Sequence, residues 1–263
     1  MVMRYNAFGP YLRKKFGTIV YKVNVDAGFT CPNRDGTLGV TGCIYCNNSS
    51  FRPSECKSDI PIAKQIKDGI AYLSRRYKAA KYLVYFQPYT NTYASLPELE
   101  KVYREALAEP LVVGLAIGTR PDCVDIDKIR LLQSLSADYF ILVEYGLQSI
   151  YNKSLDYILR GHDYQSFLDA VALTRDKGIH IGAHIIAGLP TETREETLAM
   201  ADELSGLPIG FLKIHQLQVV TAPDSILIAP NWGKSRQEII RDIEKRFTER
   251  NAFQGSKCAC YRH

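Results

Sequence analysis

Residues 31–46 read CPNRDGTLGVTGCIYC. Cys31 is followed by eleven residues, then Cys43, two residues more, and Cys46. Thiols this dense in a loop read as metal ligands before anything else. Four matched cysteines would close a structural zinc site. Three leave a position open, and an iron–sulfur cube held by three thiolates keeps one iron free for another ligand. The intervening residues suit a loop wrapped around a cluster. Gly36, Gly39 and Gly42 permit positive φ and close backbone approach, Pro32 stiffens the entry, and Asn33, Asp35 and Thr37 supply turn chemistry. Three ordinary buried thiols are the alternative, which a Gly-rich loop disfavours.

Upstream, Thr18–Val25 (TIVYKVNV) alternates and is β-branched, which predicts a strand ending at the cysteine loop. Downstream the pattern alternates helix and strand. Helices are predicted over Ile62–Tyr77, Leu96–Ala108, Asp125–Ser136, Lys153–Leu159, Tyr164–Lys177 and Thr193–Leu204. Strands are predicted over Tyr82–Phe86, Leu111–Ile117, Tyr139–Tyr145, Ile179–Ile186 and Phe211–Val220. Six strand–helix units imply a parallel α/β sheet with right-handed crossovers, too short for a closed eight-fold barrel and enough for a partial (β/α)6 one. One domain is expected: an N-terminal arm over 1–17, the barrel over 18–220, and an extension over 221–263 with a helix at Ser235–Arg250.

Working residues of parallel α/β folds sit at the C-terminal strand edges. Here those edges carry the three cysteines, then Gln87–Asn91, then Gly118–Asp122, then Glu144 with Gln148, then His184 with Gly188–Pro190, then His215 and Gln216. Six polar or Gly-rich edges in register predict one continuous site at one barrel mouth.

The 263 residues, 46% of them apolar, are enough to bury a full core. No run of eighteen apolar residues occurs, so no membrane span is expected, and Met1–Pro10 lacks a secretory apolar stretch, so a cytoplasmic protein with reduced thiols is. A net charge of +5 permits an anionic partner such as RNA without demanding one. Arg4, Arg13, Lys14 and Lys15 interleave with Tyr5, Phe8, Tyr11 and Phe16. Such a stretch can hold phosphates and stack bases; packing of its aromatics on the domain is the reading preferred.

Several segments together resemble the radical S-adenosylmethionine (SAM) superfamily: the cysteine loop, YFQPYTNTY at 85–93, GTRPDC at 118–123, VEYGLQS at 143–149, RGHDY at 160–164 and HIIAGLPTET at 184–193. The long spacing between the first two cysteines is similar to the group containing the Elongator catalytic subunit. Closest is a group of small bacterial (MnmL-like) proteins, some of which modify tRNA wobble uridines. After Val220 that group continues with a helical segment before the stretch resembling APDSILIAPNW; here the two run almost together.

The resemblance implies a [4Fe–4S] cluster on Cys31, Cys43 and Cys46, with SAM on the fourth iron, cleaved to methionine and a 5′-deoxyadenosyl radical. Tyr45 resembles the aromatic near the adenine. Gln87, Thr90 and Asn91 hold the place of the segment that meets the SAM amino group, beside Thr119. Glu144 and Gln148 resemble a SAM-contacting polar pair, with an interior ion pair as the other reading of Glu144. Arg160 resembles the arginine at the SAM carboxylate. Ile185, Gly188 and Pro190 fall in the segment that packs on adenine. His184 and His215 are candidate catalytic groups, though a lone barrel histidine is more often structural. Cys56, Cys123, Cys258 and Cys260 are too scattered for a second cluster. The implied substrate is tRNA, with 5-carboxymethylaminomethyluridine converting to 5-aminomethyluridine and a flavodoxin or ferredoxin as electron donor. Two alternatives are a small-molecule enzyme like the oxygen-independent coproporphyrinogen oxidases, and a zinc-containing nucleic-acid-binding protein with Cys56 as fourth ligand.

Overall fold

The computed structural model describes residues 6–46 and 56–217. The expected C-terminal helix, Cys258, Cys260 and the join after Val220 lie outside those residues. The elements run α1 (Phe8–Phe16), β1 (Val20–Val25), α2 (Ile62–Tyr77), β2 (Lys81–Phe86), α3 (Leu96–Leu107), β3 (Val112–Thr119), α4 (Ile126–Ser136), β4 (Phe140–Gln148), α5 (Asn152–Tyr157), α6 (Tyr164–Thr174), β5 (His180–Ala187), α7 (Arg194–Ser205) and β6 (Phe211–Gln216). All six strands are parallel, in the order β1-β2-β3-β4-β5-β6.

The sheet curls into a partial barrel. In a flat sheet β2 and β6 would stand four strand spacings apart, about 19 Å. Instead Lys213 of β6 places Nζ 3.0 Å from the Tyr85 hydroxyl of β2. Period-2 alternation then divides each strand between two environments. Val23, Val84, Ile117, Val143, Ile185 and Leu212 face the helix layer in the main core. Val20, Leu83, Tyr85, Ala116, Phe140, Leu142 and Phe211 face the lumen.

The N-terminal arm is a helix that plugs the end of the barrel where the strands begin. Leu12 is buried with the lumen residues. Phe8 and Tyr11 each meet Phe211 edge-on at 5.3 Å, and Phe16 meets Phe140 at 6.1 Å. Each such pair contributes about 0.5–1.5 kcal/mol beyond its area burial. Packing is thus the role the contacts give to these aromatics. Local signals fix the helix starts: Asp125 caps α4, Asp163 caps α6, and Thr193 with Glu196 forms a capping box on α7. β4 extends three residues beyond its predicted end, carrying Gly146, Leu147 and Gln148 into the sheet. No described helix is long and apolar enough to cross a membrane.

Candidate active site at the open end of the barrel

The cysteine loop leaves β1 at the open end and docks on the turn between α5 and α6. Asn33 is the staple. Its buried Nδ2 donates to the carbonyls of Leu159 and Arg160, both at 2.9 Å, and to Cys43 Sγ at 3.3 Å. Gly161 makes room for it: φ is +72°, and a Cβ there would lie 2.6 Å from Asn33 Oδ1. The Ile44 N–H donates to the Ile158 carbonyl at 3.2 Å, and Arg34 Nη2 to the Cys46 carbonyl at 2.8 Å.

Arg160 lies beneath the loop, buried. Its Nε and Nη2 donate to the Gly146 carbonyl at 3.2 and 2.7 Å, and its Nη1 approaches Cys43 Sγ at 3.6 Å. Arg120 backs it from the next strand end, donating to the Arg160 carbonyl at 2.8 Å and forking onto Asp122 at 2.9 and 2.7 Å. The electrostatics follow. Burial pushes the Cys43 thiol up, but the Arg160 charge and hydrogen bond, the Asn33 amide and Arg120 together bring it below its ordinary value. Burial leaves Cys46 above its ordinary value despite Arg34. Cys43 is buried, and Cys31 and Cys46 are half-buried.

Other strand ends divide between lining the mouth and building it. Gln87 Oε1 is buried with no hydrogen-bond partner among the described residues, as is Asn24 Oδ1 on the lumen side of β1. Gln148 is buried at the end of β4 with φ of +75°, a left-handed conformation that non-glycine residues seldom adopt outside strained sites. Tyr45 packs against Leu155, Ile158, Ile186, Leu189 and Leu217, forming an apolar wall beside β5 and β6. Gly188 turns out of β5 with φ of +96°, and Pro190 follows half-buried.

Three expected cofactor contacts are placed differently. Ile185 faces the helix layer, and parity puts Ile186 on the mouth side with Tyr45. Asn91 spends its Nδ2 on the carbonyls of Phe86, Pro88 and Gly118, closing the turn after β2. Thr119 pairs its hydroxyl with Thr92 at 2.6 Å, beneath the surface. Thr90 is buried in the same turn, its N–H on the Thr30 carbonyl.

Below the mouth the lumen is charged. Glu144 accepts from Lys22 Nζ at 2.5 Å and from His184 Nε2 at 2.9 Å, so the interior ion pair is the reading its contacts carry. Burial opposes its ionisation, but Lys22 and His184 hold it well below the usual carboxylate range. The rings of His184 and His215 lie 5.1 Å apart. Burial, with the Lys213 charge, depresses both, His184 to about 4. Burial likewise lowers Lys213 to about 8.

Lys22 and Lys213 were not singled out in the sequence, Asn33 was read only as a turn residue, and Arg120 only as part of a strand edge. The signal for the lysines was present: Lys22 and Lys213 sit on the lumen parity of otherwise apolar strands. Of the remaining cysteines, Cys56 donates to the Asn24 carbonyl at 3.0 Å, and burial pushes the Cys123 thiol up to about 12. Among the described residues no three Cys, His, Asp or Glu side chains converge on a point that would hold a single metal ion.

Residues 30–204 match the family model of the Radical SAM superfamily. The chain is 36% identical over 232 residues to Protein YhcC of Escherichia coli (strain K12), covering 88% of this chain and 73% of that protein. It is 33% identical over 154 residues to a tRNA uridine(34) acetyltransferase of Methanocaldococcus jannaschii, covering 57% of this chain and 27% of that protein. Its fold is similar to that of the archaeal Methanocaldococcus infernus Elp3 with an N-terminal deletion, with a TM-score of 0.58 at 18% identity, covering 90% of this chain and 56% of that one. The chain therefore spans little more than half of that structure and about a quarter of the acetyltransferase. It belongs to the radical SAM superfamily and is an enzyme of that class, whose members use a [4Fe–4S] cluster and SAM.

Proposed function

From this membership we propose that Cys31, Cys43 and Cys46 hold the [4Fe–4S] cluster and that the enzyme modifies the C5 side chain of a tRNA wobble uridine. The donor set fits the cluster. Cys43 Sγ already receives N–H groups from Asn33 and Arg160, the arrangement a thiolate requires and a neutral thiol does not. The buried Gln87 Oε1, unpartnered among the described residues, suits an ammonium such as that of SAM. Gln148 and Arg160 are the other polar groups offered to SAM, and the apolar wall of Tyr45, Ile186 and Leu189 takes its adenine. When bound, the reduced cluster supplies one electron that cleaves SAM to methionine and a carbon radical able to abstract hydrogen.

The chain's own residues do the rest. Asn33 and Arg160 fix the loop and bring one thiol below its ordinary value. Arg120 and Asp122 fix Arg160. The α1 plug and the apolar lumen floor exclude water from the closed end, which protects a reactive intermediate. The open edge of a partial barrel admits a macromolecule.

The tRNA reading is carried by the relatedness to the uridine(34) acetyltransferase over 57% of the chain, and net charge +5 is compatible with a polyanion. The proposed conversion is 5-carboxymethylaminomethyluridine to 5-aminomethyluridine. Loss of a hydrogen atom and then of one electron and a proton would oxidise the glycyl C–N bond to an imine, and water would hydrolyse it, releasing the two carbons as glyoxylate. A small iron–sulfur or flavin protein would be the electron donor. The test is anaerobic reconstitution with iron and sulfide, then dithionite, SAM and tRNA carrying the carboxymethylaminomethyl group. The expected result is 5′-deoxyadenosine with loss of the carboxymethyl mass from position 34, both absent in Cys43→Ala. Nucleoside release with no change in any tRNA would overturn the substrate and favour a small molecule.

A further inference from the structure

The lumen holds two ammonium groups and one carboxylate, and they are not evenly matched. Lys22 is paired with Glu144, whose second oxygen takes the His184 N–H. Lys213 has no carboxylate partner among the described residues. It is 6% exposed, and among the described residues its Nζ reaches the Tyr85 hydroxyl, at 3.0 Å, and the face of the same ring. Glu144 attracts Lys213 without touching it, both carboxylate oxygens being spent on Lys22 and His184. An ammonium buried with no anion in contact is unfavourable, and proteins rarely keep one without a use for it.

Its location gives the use. Lys213 shares a rung of the sheet with His184 and Gly146. The Gly146 carbonyl holds Arg160, and Arg160 meets Cys43. Lys213 thus stands level with the support of the cysteine loop, about two strand spacings across the sheet, roughly 10 Å. It follows Phe211 by two residues along β6, one lumen position nearer the mouth than the ring that meets α1. β3 presents the small residues Gly114, Ala116 and Gly118 inward, and β5 presents Gly182 below His184, against Glu144. The titratable groups facing Lys213 are Lys22 of β1, Tyr85 of β2, Glu144 of β4, His184 of β5 and His215 of β6. Burial lowers both histidines; His184 already spends its N–H on Glu144, so His215 is the imidazole with an N–H to offer.

We propose that Lys213, flanked by His184 and His215, binds a carboxylate carried by the substrate side chain. One monovalent anion completes the lumen at two positive and two negative charges. A phosphate dianion would leave surplus negative charge beside Glu144. The inference rests on the tRNA reading for the identity of the carboxylate, the one that 5-carboxymethylaminomethyluridine bears and 5-aminomethyluridine lacks.

The test uses the reconstituted enzyme with SAM and two probes, the free nucleosides 5-carboxymethylaminomethyluridine and 5-aminomethyluridine, with turnover of the matching tRNA beside them. Wild type is expected to bind the carboxylate nucleoside at least tenfold more tightly. Lys213→Met is expected to abolish that preference and raise KM for the tRNA at least tenfold, with SAM affinity unchanged; Lys213→Arg is expected to restore part of the preference. Methionine fills similar volume without charge, and an unchanged or higher melting temperature would show that the variant folds. Retained preference in Lys213→Met would overturn the proposal. Weakened SAM binding in its place would also overturn it, assigning Lys213 to the carboxylate of SAM. The tRNA reading fails separately: a wild-type enzyme that prefers the carboxylate nucleoside but converts no tRNA keeps the receptor and loses the substrate, whereas equal conversion by wild type and Lys213→Met loses the receptor and keeps the substrate.

Discussion

Arg160 joins the two halves of the site: its Nε and Nη2 grip the Gly146 carbonyl while its Nη1 lies 3.6 Å from Cys43 Sγ. The strand end and the cysteine loop are therefore set by one side chain. Lysine cannot reproduce a fork that reaches two acceptors in fixed directions. Arg160→Lys is expected to leave a buried carbonyl short of donors, at about 1–3 kcal/mol, and to lower cluster occupancy and SAM cleavage at least tenfold. Iron content and absorbance near the thiolate-to-iron band, read beside the melting curve, separate loss of cluster from loss of fold.

Gly161 is a sharper test of the loop's docking. At φ of +72° an alanine is strained, and its Cβ would stand 2.6 Å from Asn33 Oδ1. The Asn33 amide would have to leave Cys43 and the Leu159 and Arg160 carbonyls. Gly161→Ala is expected to destabilise by about 1–3 kcal/mol and to halve iron incorporation or worse. Asn33→Ala should reproduce the iron loss with less strain. Full iron content in both variants would show that the thiols hold the cluster without this staple.

The fold was legible because its signals are periodic and local. Strand and helix alternation, the cap residues Asp125, Asp163 and Thr193, and the Gly-rich loop between Cys31 and Cys43 each act within a few residues. The site was legible as a set of strand edges but not residue by residue. Ile185 and Ile186 are both apolar, and only the final parity of β5 tells which one faces the mouth. Asn91 and Thr119 sit at the right edge yet close a turn, because buried carbonyls of Phe86, Pro88 and Gly118 need a donor. The Lys22–Glu144 contact joins residues 122 apart in sequence, and no local pattern reports a pairing made by barrel curvature.

Stability should fall on the acid side for an identifiable reason. His184 and His180 are held to about 4 in the fold, chiefly by burial, against 6.5 ordinarily, and His215 lies well below that value too. Between pH 6.5 and about 4 the unfolded chain binds protons that the folded chain refuses, so stability decreases as pH falls. Glu144, depressed below 4.5, adds its loss at the lower end of that window. Each histidine contributes at most about 1.4 kcal/mol per pH unit. Unfolding in urea at pH 7.5 and pH 5 should show the drop, and His184→Gln should make it shallower by up to one proton.

The cysteines outside the loop should be dispensable for the cluster. Burial pushes Cys123 up to about 12, which keeps it a neutral thiol, and Cys56 donates its S–H to the Asn24 carbonyl. Neither is poised as a thiolate ligand. The double variant Cys56→Ser, Cys123→Ser is expected to reconstitute with about four irons per chain, as three thiolates around one cube require, and to cleave SAM within twofold of wild type. A drop to zero iron, or zinc retained only when Cys56 is present, would bring back a four-ligand zinc site.

Lys213 makes an alkaline prediction whose sign is opposite to that of an ordinary stabilising lysine. Burial lowers it to about 8 in the fold, against 10.5 ordinarily, with Glu144 only partly offsetting this. Below pH 8 both states carry the charge, and the fold bears the whole penalty of keeping it in the lumen. Between pH 8 and 10.5 the unfolded chain holds a proton that the folded chain has released, so this residue's contribution to stability improves as pH rises. Lys213→Met removes the penalty outright. The variant should therefore be more stable than wild type at pH 7, by up to about 3 kcal/mol, with the advantage shrinking steadily from pH 8 upward. Comparing the two proteins at each pH cancels the buried tyrosines Tyr103 and Tyr145, which titrate at the same end of the scale. A variant less stable than wild type at pH 7 would show that the ammonium is already compensated within the fold, and the lumen would then have no charge left to offer a substrate.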